Sequence, residues 1–91
     1  MSIEQPSETL LTFPCTFPIK IMGIASDTFE ATMIALAGQY IEDMETVSIQ
    51  QKASKNGTYT SITMTFEAQS QTQLDALYRD FSAHPSVKMV L

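Results

Sequence analysis

"ETVSIQQKASKNGTYTSITMTFEA", residues 45–68, decides how this chain folds. Two runs that alternate apolar and polar residues flank a short polar stretch containing Asn56 and Gly57. In the second run Ile62, Met64, Phe66 and Ala68 share one face, with Thr63, Thr65 and Glu67 on the other. Alternation with period two marks strands buried on one side. Asn-Gly between such runs is a strong hairpin signal, because both residues accept positive φ. The same stretch, with Lys52, Ser54 and Lys55, also raises the question of a phosphate-cradling loop. Such a loop requires several glycines and the N-terminus of a following helix. Here one glycine is followed by a strand, so the hairpin is the better reading.

Outward from the hairpin, the chain supplies one strand–helix unit before it and one helix–strand unit after it. "FPIKIMGIA", residues 17–25, alternates with Phe17, Ile19 and Ile21 on one side and Lys20 and Met22 on the other. "SDTFEATMIALAGQYI", residues 26–41, changes to helical spacing. Phe29, Met33, Leu36, Ala37 and Tyr40 form a stripe, and Asp27 with Glu30 suggests a capping box. "SQTQ", residues 70–73, has the Ser-x-x-Gln spacing of a second capped helix, continued by Leu74, Leu77, Tyr78 and Phe81. Asp75 and Arg79 are placed for an i, i+4 pair on its wet face. Pro85 ends that helix, and "SVKMVL", residues 86–91, is a final strand.

The order β-α-β-β-α-β specifies a ferredoxin-like α+β fold. Right-handed crossovers put both helices on one face of a four-stranded antiparallel sheet of order 4-1-3-2. The uncovered face is then expected to carry Lys20, Met22, Ser48, Gln50, Thr63, Thr65, Glu67, Lys88 and Val90. Residues 1–12 lack periodicity and read as a flexible leader that packs only near Leu10 and Leu11; residues 13–91 form the single domain. The last strand is an apolar edge with Lys88 as its one charge. Either the leader covers it or a second copy pairs with it as a homodimer.

Composition narrows function mainly by exclusion. Ninety-one residues suffice for one modest core, and no apolar run approaches the roughly 20 residues that cross a bilayer. The N-terminus has neither the basic nor the apolar region of a signal peptide, so the expected location is cytoplasmic, away from membranes. Ten acidic and five basic residues give a net charge of −5, which disfavours nucleic acid as a partner. Cys15 stands alone, which excludes an internal disulfide and a cysteine metal cage. His84 has no metal ligand at suitable spacing, and Glu42, Asp43 and Glu45 lack the pattern of a calcium loop. The methionines are scattered and read as core filler. No nucleophile–base set is credible with one Cys and one His, so neither catalytic residues nor a cofactor are expected. A cryptic acyl- or phosphoryl-group hydrolase using Cys15 or His84 is the rival reading.

Three segments, "LLTFPCTFPIKIMG", "ASKNGTYTSITMTFEA" and "LDALYRDFSAHPSVKMVL", together resemble the YbeD family of small bacterial proteins. The resemblance runs from Leu10 to Leu91. It rests on Phe13, Pro14, Lys20, Met22, Gly23, Ser54, Lys55, Gly57, Tyr59, Ser61 and the terminal Met89, Val90 and Leu91. It implies the same ferredoxin-like fold, similar to ACT domains that bind small effectors, and a genetic neighbourhood shared with lipoate attachment. It supplies no catalytic residues. The chain is thus expected to be a non-catalytic regulatory or interaction module that binds a small carboxylate effector or a protein. Lys20, Met22, Gly23, Asp27, Ser54, Lys55, Tyr59 and Ser61 are the candidate contacts. In the effector version the ligand sits at the turn from Met22 to Asp27. There Gly23 allows close backbone approach and a helix N-terminus favours a carboxylate.

Overall fold

The computed structural model describes residues 11–91. Its elements are β1 (Cys15–Ile24), α1 (Phe29–Ala37), a single 3₁₀ turn (Met44–Thr46), β2 (Ser48–Ala53), β3 (Tyr59–Ala68), α2 (Gln71–Ala83) and β4 (Val87–Val90). The sheet is antiparallel with order β2-β3-β1-β4, which is the expected 4-1-3-2 read from the other edge. The expectation about Leu10 lies outside the described residues, while Leu11 is half-buried and packs against the core.

The central pair, β1 and β3, stays in register over ten residues, from Cys15 opposite Ala68 to Ile24 opposite Tyr59. Their inward faces supply Ile19, Ile21, Ile62, Met64, Phe66 and Ala68 to the core. Phe29, Met33 and Ala37 of α1 and Leu74, Leu77 and Phe81 of α2 close over them. Burying a side chain of this size is worth roughly 1.5–3 kcal/mol, so the strand alternation and helical spacing largely determine the layering. Pro18 is tolerated in a central strand because of β4's length. The N–H groups of Lys20 and Ile24 point toward the β4 side, so the donor missing at Pro18 faces beyond the end of β4.

Three local expectations are corrected, and the Ser70 cap is met. The hairpin turn has positive φ only at Gly57 (74°), and Gly57 N–H donates to Ser54 O at 3.0 Å. Asn56 keeps negative φ because the loop is longer than a two-residue turn, with Ser54 and Tyr59 pairing across it. Asp27 does not cap α1. The helix begins at Phe29 behind Thr28, which makes no side-chain cap, so Glu30 is one residue too early for the box. Ser70 does cap α2, accepting from Gln73 N–H at 3.1 Å, and Gln73 Oε1 reaches back one residue further to Gln69 N–H at 2.7 Å. Arg79 pairs with Asp80 (3.2 Å) and not with Asp75, whose carboxylate accepts from Gln71 Nε2 at 3.0 Å. An exposed i, i+4 pair is worth only a few tenths of a kcal/mol, too little to draw Arg79 away from an adjacent carboxylate.

The fourth strand differs most. Met89 lies opposite Met22 and Val87 opposite Gly23, so Lys88 is an extra residue in a bulge. The bulge breaks the period of two and lets Val87 and Val90 both pack against the core. Val90, expected on the open face, lies opposite Ile21 and turns inward. Met89, expected among the core fillers, turns outward and is 49% exposed.

Candidate functional site

The open face of the sheet can be read row by row from the strand register. One row runs Met89, Met22, Ser61, Lys52 across β4, β1, β3 and β2; the next runs Lys20, Thr63, Gln50 across β1, β3 and β2. Leu91 continues the second row beyond β4, exchanging both backbone hydrogen bonds with Lys20 (3.1 and 2.8 Å). Toward the hairpin a third row pairs Ile24 with Tyr59. Residues directly opposite in an antiparallel ladder share a face. All four large apolar residues exposed among the described residues, Ile24, Tyr59, Met89 and Leu91, therefore lie on this one surface.

Charge is sorted the same way. Inside the strands the charged residues are Lys20, Lys52, Lys88 and Glu67, with Lys55 at the hairpin tip; the other described acids lie on helices and loops. Glu67 sits at the far end of β3, opposite Thr16. Arg79–Asp80 is the one ion pair among the described residues, so none of the four lysines is paired with a described carboxylate. A chain of net charge −5 thus presents a cationic surface with apolar members.

Two adjoining depressions mark this surface. One, of about 200 Å³, is lined by Met22, Lys52, Ala53, Ser54, Tyr59, Thr60 and Ser61. The other, of about 590 Å³ and open to solvent, is lined by Lys20, Gln50, Gln51, Lys52, Ser61 and Thr63. Lys52 and Ser61 belong to both. The hairpin is braced beneath them: Ser54 Oγ accepts from Tyr59 N–H at 3.1 Å, and the hydroxyls of Thr60 and Ser61 both donate to Lys52 O (3.3 and 3.4 Å).

Of the expected contacts, Lys20, Met22, Ser54, Tyr59 and Ser61 come together here. Lys55 stands exposed at the hairpin tip, and Asp27 is exposed in the turn before α1. Gly23 requires a correction. It points inward, and a Cβ there would lie 2.4 Å from a Phe29 ring carbon and 2.5 Å from Ser86 O. The glycine makes room for Phe29, leaving no approach for a ligand. Lys52, Ile24 and Met89 were missed. The alternation through Lys20 and Met22 extends to Ile24 and signals that residue; the bulge at Lys88 hides Met89.

Cys15 and His84 are far apart. Cys15 begins β1, half-buried opposite Ala68. His84 follows α2, where its Nδ1 accepts from Ser86 N–H at 3.1 Å, and Ser86 O in turn accepts from Ile24 N–H at the other end of β1. Ten strand residues, roughly 30 Å, separate the two ends, so these side chains form no nucleophile–base pair.

A second polar cluster joins the helices. The Tyr40 hydroxyl donates to Asp80, and Gln73 Nε2 donates to Tyr40 O at 2.9 Å. Hydrogen bonding to Asp80, then burial, raises the Tyr40 hydroxyl above its ordinary pKa. The same hydrogen bond lowers the Asp80 carboxyl against the opposing effect of burial, with help from Arg79. These partners satisfy one another and tie the end of α1 to α2, which accounts for the cluster structurally.

The sheet with two helices on one face is a ferredoxin-like α+β domain, here with an apolar and cationic open face. The chain belongs to a family described as proteins of unknown function, DUF493, whose pattern matches residues 8–91; it comprises the UPF0250 proteins, YbeD among them. A UPF0250 protein of Janthinobacterium is 44% identical over 91 residues, covering all of both chains. UPF0250 protein NE1487 of Nitrosomonas europaea is 40% identical over 84 residues, 92% of this chain and 97% of its own. Among solved structures, protein HP0495 of Helicobacter pylori is similar with a TM-score of 0.67 at 18% identity, covering 99% of this chain and 98% of its own. That likeness bears on the fold.

Proposed function

We propose that this chain is a non-catalytic binding module that uses the open sheet face around Lys20, Met22, Lys52 and Tyr59 to hold a carboxylate-bearing effector or protein. The observation carrying this reading is that the exposed large apolar residues and two lysines on β1 and β2 share one face. A surface with no partner gains nothing from concentrating apolar side chains there, and such patches mark interaction sites. The effector position moves from the Met22–Asp27 turn to the sheet, because Phe29 fills the space beside Gly23.

Thermal-shift measurements with amino acids, lipoate and related carboxylates test the proposal. A ligand held at 100 times its Kd adds about 2.7 kcal/mol of stability. The shift is expected in the parent protein and is expected to vanish in a Lys20→Glu/Lys52→Glu variant. A carboxylate whose shift survives that double change would place the site elsewhere.

A further inference from the structure

We infer that the occupant of the open face is an extended acidic peptide segment of a partner protein, with a carboxylate two residues from a large apolar side chain. This rests on the binding-module reading above and names its partner.

Shape argues first. Small-molecule sites enclose most of their ligand's surface. Here the cationic depression is open and the apolar one beside it is small, and they meet at Lys52 and Ser61. A single small acid placed on Lys20 and Lys52 leaves Ile24, Tyr59 and Met89 uncovered. A chain segment covers both parts.

Spacing argues second. Along β1 the outward side chains are Lys20, Met22 and Ile24, so cation gives way to apolar surface in steps of about 6.6–6.8 Å, two strand residues each. An extended peptide laid along β1 repeats the same step. A Glu or Asp over Lys20 therefore puts a Leu, Ile, Met or Phe two residues on over Met22, beside Tyr59. Lys52, across from Ser61 in the Met22 row, offers a second cation for a flanking carboxylate.

Charge argues third. The strands carry three lysines against Glu67, and among the described residues those lysines have no carboxylate partners. A basic segment would meet repulsion at both depressions. Complementary charge speeds encounter and selects partners, and its effect weakens with added salt.

The test selects peptides of about ten residues, enough at ~3.3 Å each to run the length of β1, from a random displayed library against the whole 91-residue chain. Selected sequences are expected to be enriched in Asp or Glu two positions from Leu, Ile, Met or Phe. Synthetic copies should bind at least tenfold more weakly to Lys20→Glu/Lys52→Glu and to Ile24→Ser/Met89→Ser, with the amide spectrum of each variant showing a retained fold. Enrichment of basic sequences overturns the inference, as does acidic binding indifferent to both variants. Small carboxylates that bind and depend on the lysines, with no peptide selected, overturn the peptide occupant while the site stands. Selected peptides that perturb only helix amides overturn the site as well.

Discussion

On β1, Ile19, Ile21 and Gly23 point into the helical layer, while Lys20, Met22 and Ile24 point away from it. The two sets interleave along one strand and share its backbone hydrogen bonds, yet they answer to different demands. Packing accounts for the inward set: Ile19 and Ile21 are almost wholly buried, and Gly23 is small because Phe29 needs the space. Among the described residues neither Ile24, which is 43% exposed, nor Tyr59 opposite it at 40% packs against the core. Where apolar residues exist without a core to fill, a partner is the economical explanation.

If the comparison holds, inward substitutions act on stability first. Ile62→Ala removes buried methyl groups from the middle of β3 and should cost about 2–5 kcal/mol. Gly23→Ala adds a single carbon yet should cost roughly 1–3 kcal/mol, since Ser86 O is backbone and cannot swing aside. Urea unfolding of both variants checks the order, and a neutral Gly23→Ala would remove the packing account of that residue.

Adjacent residues of β4 sharpen the contrast. Val90→Lys places a charge against the core beside Ile21 and should cost roughly 1.5–3 kcal/mol. Met89→Lys, one residue earlier and facing out, should stay within about 0.5 kcal/mol. Thermal unfolding of the two variants decides the matter. Equal effects would mean that the bulge at Lys88 does not set the faces of this strand.

This strand also shows where the sequence stopped being legible. Period-two alternation in β1 and β3 and helical spacing in α1 and α2 reported their buried faces directly, because each run is long enough to display its period. β4 has four residues and a bulge, so alternation alone assigned Val90 to the wrong face. At the candidate site, Lys20, Met22, Ser54, Tyr59 and Ser61 were legible from alternation, the hairpin and the family resemblance. Lys52 and Met89 join them only through pairing between strands, and Gly23 looked like a contact because sequence does not show that Phe29 packs against it.

A smaller effect lies within the helical layer. The Asp80 carboxyl is lowered chiefly by the Tyr40 hydroxyl, so its contribution to stability is present above the ordinary carboxylate range near 3.9 and lost as pH falls through the lowered value. Tyr40 is raised, so its contribution is present below about 10 and lost as pH rises through the higher value. Tyr40→Phe should move Asp80 upward and flatten the acid limb of the stability curve. Titration of the Asp80 carboxyl carbon by NMR, in parent and variant, measures this, and an unmoved Asp80 would contradict it.

Removing the outward apolar side chains together tests the central claim most directly. The urea midpoint of an Ile24→Thr/Tyr59→Thr/Met89→Thr variant, compared with that of Ile62→Ala, asks whether the outward apolar residues serve the fold. Three exposed positions at about 0.5 kcal/mol each predict a loss of no more than roughly 1.5 kcal/mol, below that of the single inward change. A triple variant that loses as much as Ile62→Ala or more would show that these side chains hold the sheet together, and the open face would need no partner to explain it.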